Sequence, residues 1–350
     1  MRGRWLDRLA TWETFLALLT CAVVLYAVVE LPNFATLFNL SQATAGVSER
    51  ALIVLPMVLL IIAREIDLSV ASILALSSVV FGAAVAQGVP LVAAMVLALA
   101  AGVLCGAFNG LLVTRFSLPS LVVTLGTLAM FRGLGYVILG PDSVNNFPES
   151  FSDFGVDTVG ETPIPWTIVP FLVLAPVFAI ILQMSTVGRR IYAIGGNPSA
   201  ALYSGVRINR IRFMLFVTSG LVCALAGIVF TARLANARAD NAVGVELDVI
   251  TTALLGGVSV FGGRGTLTGV LWALVLIATV RNILGLEEIG GDAQGTIIGL
   301  LLIATLIASN AAQRLFAALN VGQARRDSRG RSSGDPPVLN ATSSTQRTNG

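Results

Sequence analysis

Long apolar runs alternate with short polar breaks through most of this chain. Each run approaches the roughly 20 residues that carry an α-helix across a bilayer. The pattern predicts about ten transmembrane helices, over residues 14–31, 45–63, 68–87, 91–114, 120–139, 166–184, 213–232, 247–261, 267–281 and 293–310. The expected fold class is all-α, a polytopic membrane protein whose transmembrane domain covers 14–312. A segment at 1–13 precedes it. The stretch 313–350, rich in Ser, Arg, Asp, Pro and Asn and without an apolar period, reads as a disordered tail.

Glycines recur inside the runs, as Gly102, Gly106 and Gly110, as Gly126, Gly133 and Gly135, and as Gly256 and Gly257. Small residues at such spacings let helix backbones approach where lipid supplies no hydrophobic drive to pack. A tightly packed bundle is expected. The N-terminus, with Arg2, Arg4 and Arg8 before an apolar run, imitates a signal peptide, but the run ends in Glu30, Leu31 and Pro32 instead of a small-residue cleavage site. It reads as an uncleaved first helix.

The polar breaks set the orientation. With the N-terminus in the cytoplasm, alternation over ten spans places Arg64, Arg115, Arg189, Arg190, Arg207, Arg210, Arg212, Arg264 and Arg314 inside, and the C-terminus with them. Only Arg50, Arg233, Arg238 and Arg281 fall on or near the outer side, as the positive-inside rule favours. The loop 140–165 holds five carboxylates and no basic residue, and lands outside. Its Phe147, Pro148, Phe151 and Phe154 suggest a docking surface. The long break at 185–212 lands inside.

Composition excludes several functions. The 350 residues are 55% hydrophobic and 12% charged, against about 25% charged in soluble domains. All 22 basic residues are arginine, and there is no histidine. A P-loop needs a lysine on the β/γ-phosphates, so the chain has no such ATP site. Ion-coupled carriers usually keep a carboxylate or histidine near mid-membrane, whereas every carboxylate here lies at a span end or in a loop. No metal site and no catalytic constellation is expected, and the three cysteines read as small buried hydrophobes.

Two polar features remain. Arg132 lies deep in the fifth predicted span, where a charge is costly unless it faces a wet cavity or a partner. It either lines a translocation path or, with Gly133 and Gly135 breaking the helix, reaches an interface or caps backbone carbonyls. Asp67 and Ser69 precede an apolar helix and read as its capping turn, in preference to a substrate contact.

The stretches "EIDLSVASILALS" (65–77), "FNGLLVTRFSLPSLVVTLGTLAMFRGL" (108–134), "GRRIYAIGGNPSAALYSGV" (188–206) and "ALLGGVSVFGGRGTLTGVLWA" (253–273) resemble the permease subunits of bacterial ABC sugar importers, in the ribose/monosaccharide branch. Nearly the whole chain except its tail shares the resemblance. Within that branch the chain is most similar to rhamnose- and autoinducer-2-type permeases. The family usually has two glycines before Ile-Asp-Leu-Ser, where this chain has Arg64 and Glu65.

The resemblance implies a ten-helix permease of the vitamin-B12-importer architecture in the bacterial cytoplasmic membrane. It implies a second permease copy or paralogue, an ABC ATPase subunit that uses ATP and Mg in trans, and an extracytoplasmic sugar-binding protein. The cargo would be a monosaccharide moved by alternating access. The chain would hold no cofactor, bind no nucleic acid and have no enzymatic activity of its own. The alternative is an ion-coupled secondary sugar carrier. Under the first reading 185–212 is the coupling loop: Asn197 or Ser199 caps a short helix containing Pro198, Ala200, Ala201, Leu202 and Tyr203, which docks on the ATPase. Gly195, Gly196 and Gly205 supply the turns at its ends.

Overall fold

A computed structural model describes residues 12–291, 293–300 and 303. Residues 1–11 of the expected N-terminal segment, the tail, Arg314 and half of the tenth span lie outside the described residues. Among the described residues the chain is helical, with isolated β-bridges but no strand. In chain order the helices are α1 (Trp12–Glu30), α2 (Leu37–Ala45), α3 (Ser48–Ile62), α4 (Val70–Ala86), α5 (Leu91–Arg115), α6 (Ser120–Leu139) and α7 (Glu149–Val156). A 3₁₀ turn (Trp166–Ile168) leads into α8 (Val169–Met184), followed by α9 (Thr186–Gly196), α10 (Pro198–Tyr203), α11 (Ile208–Leu234), α12 (Val245–Leu255) and α13 (Leu267–Leu286).

Among the described residues six helices are long and apolar enough to cross a membrane, seven if α2 and α3, bent by 45° at their junction, count as one. The chain is a polytopic membrane protein. Two predicted spans are shorter than expected. The third has 17 helical residues, and the eighth, expected over 247–261, ends its 11-residue helix at Leu255. At 1.5 Å per residue α12 covers about 16 Å of a hydrocarbon core about 30 Å thick. Gly257, Gly262, Gly263 and Gly265 follow it with positive φ, so the apolar run continues as a folded loop.

Every residue of α3 except Arg50 is buried. A helix apolar all round belongs in the centre of a bundle, and α8, α11 and α12 pack on it. Glycines set the closest crossing. A Cβ on Gly102 or Gly106 of α5 would stand 2.4 Å from Gly220 O or 2.3 Å from Phe216 O of α11. Gly126 and Gly133 of α6, by contrast, face open space. Cys105 and Cys223 are buried as expected, but Cys21 lies on the exposed side of α1.

The aromatics of 140–165 are not a free docking surface. Phe147 and Phe151 are buried and pack on Phe81 of α4, with ring centroids 5.7 and 4.8 Å away. Their apolar area is spent on closing this end of α4 over α5 and α11.

Candidate functional site

The segment 185–212 is more ordered than its turn-rich composition suggests. Ser185 caps α9 by accepting from the amides of Val187 and Gly188. Gly188, Ile191, Ile194 and Gly195 form its buried face, at the spacing of one helical stripe. Asn197 then caps α10, its side chain accepting from Ala200 N at 3.1 Å, with Pro198 in the first turn. The cap is Asn197, not Ser199. Gly205 ends the motif at φ +80°.

Placement of the side chains divides the expected coupling residues. Ala201 is buried at 4% exposure, while Leu202 and Tyr203 are 60% and 91% exposed. The free face of α10 therefore carries Ala200, Leu202 and Tyr203, and Ala201 faces the chain itself. Tyr203, one of the expected docking residues, stands furthest out.

Behind α10 three backbones meet. Gly263 N donates to Ile62 O at 2.9 Å. A Cβ on Gly195 would lie 1.8 Å from that same oxygen and 2.4 Å from Gly263 N, so no larger residue fits. Arg64, at φ +65°, sends Nε to Gly195 O at 2.6 Å and Nη2 to Gly196 O at 2.9 Å. A cation on the last carbonyls of a helix is favoured by the helix dipole. Tyr192 Oη also donates to Gly265 O at 2.6 Å. The ends of α3 and α9 and the loop after α12 are thus one unit, and α10 projects from it.

The turn after α3 continues inward. Glu65 forms an ion pair with Arg212 of α11 at 2.7 Å, and burial pushes its carboxyl above the ordinary glutamate range despite the arginine. Asp67 is fully buried. Its Oδ1 accepts from Ser69 N at 3.0 Å and Ser69 Oγ at 2.6 Å, and its Oδ2 accepts from Ser219 Oγ at 3.1 Å. Ser69 Oγ in turn accepts from Asn109 Nδ2 at 2.8 Å. The expected capping is not made, since no side chain accepts from the first-turn amides of α4; Asp67 instead closes a turn on Ser69, the residue before the helix, and the cluster pins α4 to α5 and α11.

Arg132 caps carbonyls. Its Nη1 donates to Ala239 O and Asn241 O in the connection between α11 and α12, at 2.7 and 2.5 Å. The helix runs unbroken through Gly133 and Gly135. The arginines that sequence placed on the outer side resolve in a related way. Glu49 Oε1 pairs with Arg50 at 3.3 Å and Arg233 at 2.9 Å, and Asp248 Oδ2 pairs with Arg50 at 3.2 Å and Arg281 at 2.7 Å. Three of the four exceptions to the positive-inside pattern are therefore neutralised in one network joining α3, α11, α12 and α13. Sequence reasoning missed it because its members lie up to 232 positions apart, from Glu49 to Arg281.

The family described as "Branched-chain amino acid transport system / permease component" matches residues 39–306. The chain belongs to this family. Among characterised members, this permease is 33% identical over 302 residues to the L-arabinose transport system permease protein AraH of Escherichia coli (strain K12), covering 85% of this chain and 90% of that one. It is 31% identical to the ribose import permease protein RbsC of Haemophilus influenzae, over 85% and 92% of the two chains. It is 34% identical to the autoinducer 2 import system permease protein LsrC of Enterobacter sp. (strain 638), over 84% and 85%. No solved structure matches the permease.

Proposed function

We propose that this permease forms the membrane path of a binding-protein-dependent ABC importer for a monosaccharide, with about ten crossings and both termini in the cytoplasm, in the vitamin-B12-importer-like architecture. ATP and Mg act on a separate ATPase subunit, an extracytoplasmic binding protein delivers the sugar, and a second permease copy or paralogue completes the path. The observation that carries this reading is the exposed α10, whose base is bound through Gly195, Gly196 and Arg64 to the end of the buried α3. Force applied to α10 by a partner reaches the centre of the bundle through backbone contacts, without a flexible link.

Relatives named for L-arabinose, ribose, D-allose and autoinducer 2 support a pentose, hexose or related small sugar as cargo. Rhamnose rests on the sequence resemblance alone. Asp67 serves here as a helix pin and Arg132 as a carbonyl cap, which leaves neither as an ion relay.

The experiment is reconstitution in liposomes with the cognate ATPase and binding protein, following labelled ribose, arabinose and rhamnose. Uptake is expected to require ATP and all components and to survive collapse of ion gradients. Uptake by this chain alone, driven by an ion gradient, overturns the reading in favour of a secondary carrier.

A further inference from the structure

Beside the site above, a cavity with a volume of about 750 Å³ lies between α8, α9 and α11. That is within the roughly 300–1,000 Å³ of ordinary ligand sites. Its mouth is formed by Arg190, Arg207 and Arg210. All three are exposed, and among the described residues none of their side chains makes an ion pair or hydrogen bond. No carboxylate lines the cavity. Arg212 nearby differs, being paired with Glu65.

Beyond the arginines the cavity becomes a groove walled by apolar side chains, among them Phe178 and Met214, and it reaches Thr218. Thr218 is eight residues along α11 from Arg210, about 12 Å at 1.5 Å per residue. The groove therefore runs well into a helix long and apolar enough to span the membrane. A soluble partner at the helix end has access to the arginines but not to this depth. Basic residues at the mouth of an apolar groove between membrane helices match a phosphate head with a hydrocarbon tail.

We propose that this groove binds an anionic phospholipid, with its phosphate held by Arg190, Arg207 and Arg210 and one acyl chain lying along α11 between Phe178 and Met214. The lipid completes the surface beside the coupling segment, since Arg190 belongs to α9 and Arg207 and Arg210 flank the start of α11. The charge supplies selectivity for the head and the groove supplies affinity for the chain.

The test is native mass spectrometry of the purified full chain, titrated with dioleoylphosphatidylglycerol, dioleoylphosphatidylcholine and inorganic phosphate. The two lipids share their acyl chains and differ in head charge. Retention of the glycerol lipid is expected to exceed that of the choline lipid by at least tenfold, taking about fivefold per arginine as the scale. The triple variant Arg190→Gln, Arg207→Gln, Arg210→Gln should bring the two lipids level. Met214→Trp, at a half-exposed position, should weaken retention of both lipids. Equal retention of both lipids by the unmodified chain overturns the proposal without any variant. So does phosphate binding as tight as the lipid's and insensitive to Met214→Trp, which would mark a soluble-anion site. Arginine variants that keep the lipid preference but lose a partner ATPase would assign the arginines to that protein and also overturn it.

Discussion

Arg64 Nε donates to the carbonyl oxygen of Gly195 at 2.6 Å, joining the end of α3 to the end of α9 across 131 positions of sequence. The residue does this from φ +65°, a conformation that normally selects glycine. A glycine fits that backbone without strain. Here an arginine accepts the strain, and its guanidinium spans two carbonyls that a glycine leaves to water.

Arg64→Gly and Arg64→Ala both remove the guanidinium, but alanine keeps a left-handed penalty of about 1 kcal/mol that glycine avoids. If the clamp transmits motion, both variants lose uptake per ATP hydrolysed to the same extent while their melting temperatures differ. Loss of coupling that simply follows thermal stability would reduce Arg64 to a helix cap.

Leu202→Arg and Tyr203→Asp change the exposed face of α10. Both are expected to abolish co-purification with the ATPase and leave the melting temperature of the chain unchanged. Ala201→Arg instead inserts a charge into a buried position and should destabilise the fold by about 2 kcal/mol or more. A thermally normal Ala201→Arg chain that fails only in ATPase binding would reverse the assignment of faces.

Glu49→Gln leaves Arg233 facing an uncharged partner in a buried site, and a broken buried pair costs about 3–5 kcal/mol. Asp240→Asn breaks the Arg238 pair, where both side chains are more than 40% exposed, and the expected loss is no more than about 1 kcal/mol. Equilibrium unfolding in micelles compares the two. Similar losses would show that the network of Glu49, Arg50, Arg233, Asp248 and Arg281 is solvated.

Ser219→Ala removes one of the three hydrogen bonds that Asp67 accepts. Interhelical hydrogen bonds of this kind contribute about 0.6 kcal/mol, with about 1.7 kcal/mol as the upper range. Asp67→Ala should cost more, because the Ser69 amide and hydroxyl and the Ser219 hydroxyl lose their acceptor together. Equal effects in the two variants would place the value of the pin in Ser219 alone.

Hydropathy located a helix in each of the first nine predicted spans, because burial in lipid and burial in protein select the same side chains. It overestimated α12: the apolar run 247–261 is folded into a short helix ending at Leu255 and a glycine-rich loop that leaves Val260 and Phe261 exposed, and composition carries no mark of the difference. Asn197, Pro198 and Gly205 were readable as the ends of α10 because capping is local. Which side of α10 is free was not, since Ala201 and Leu202 are adjacent and equally apolar in sequence.

The sequence by itself determined that this chain is a helical membrane permease with no P-loop lysine, and it marked the segments where polarity breaks the oil. Tertiary structure decided what those polar residues do. Arg132, Arg50, Arg233 and Arg281 are costly charges in a linear reading, and each finds carbonyls or carboxylates brought from distant helices. Local patterning reports what a residue must escape, either water or lipid. Only the packed bundle specifies the partner that satisfies it, because electrostatic and hydrogen-bond energies depend on distances that sequence separation does not encode.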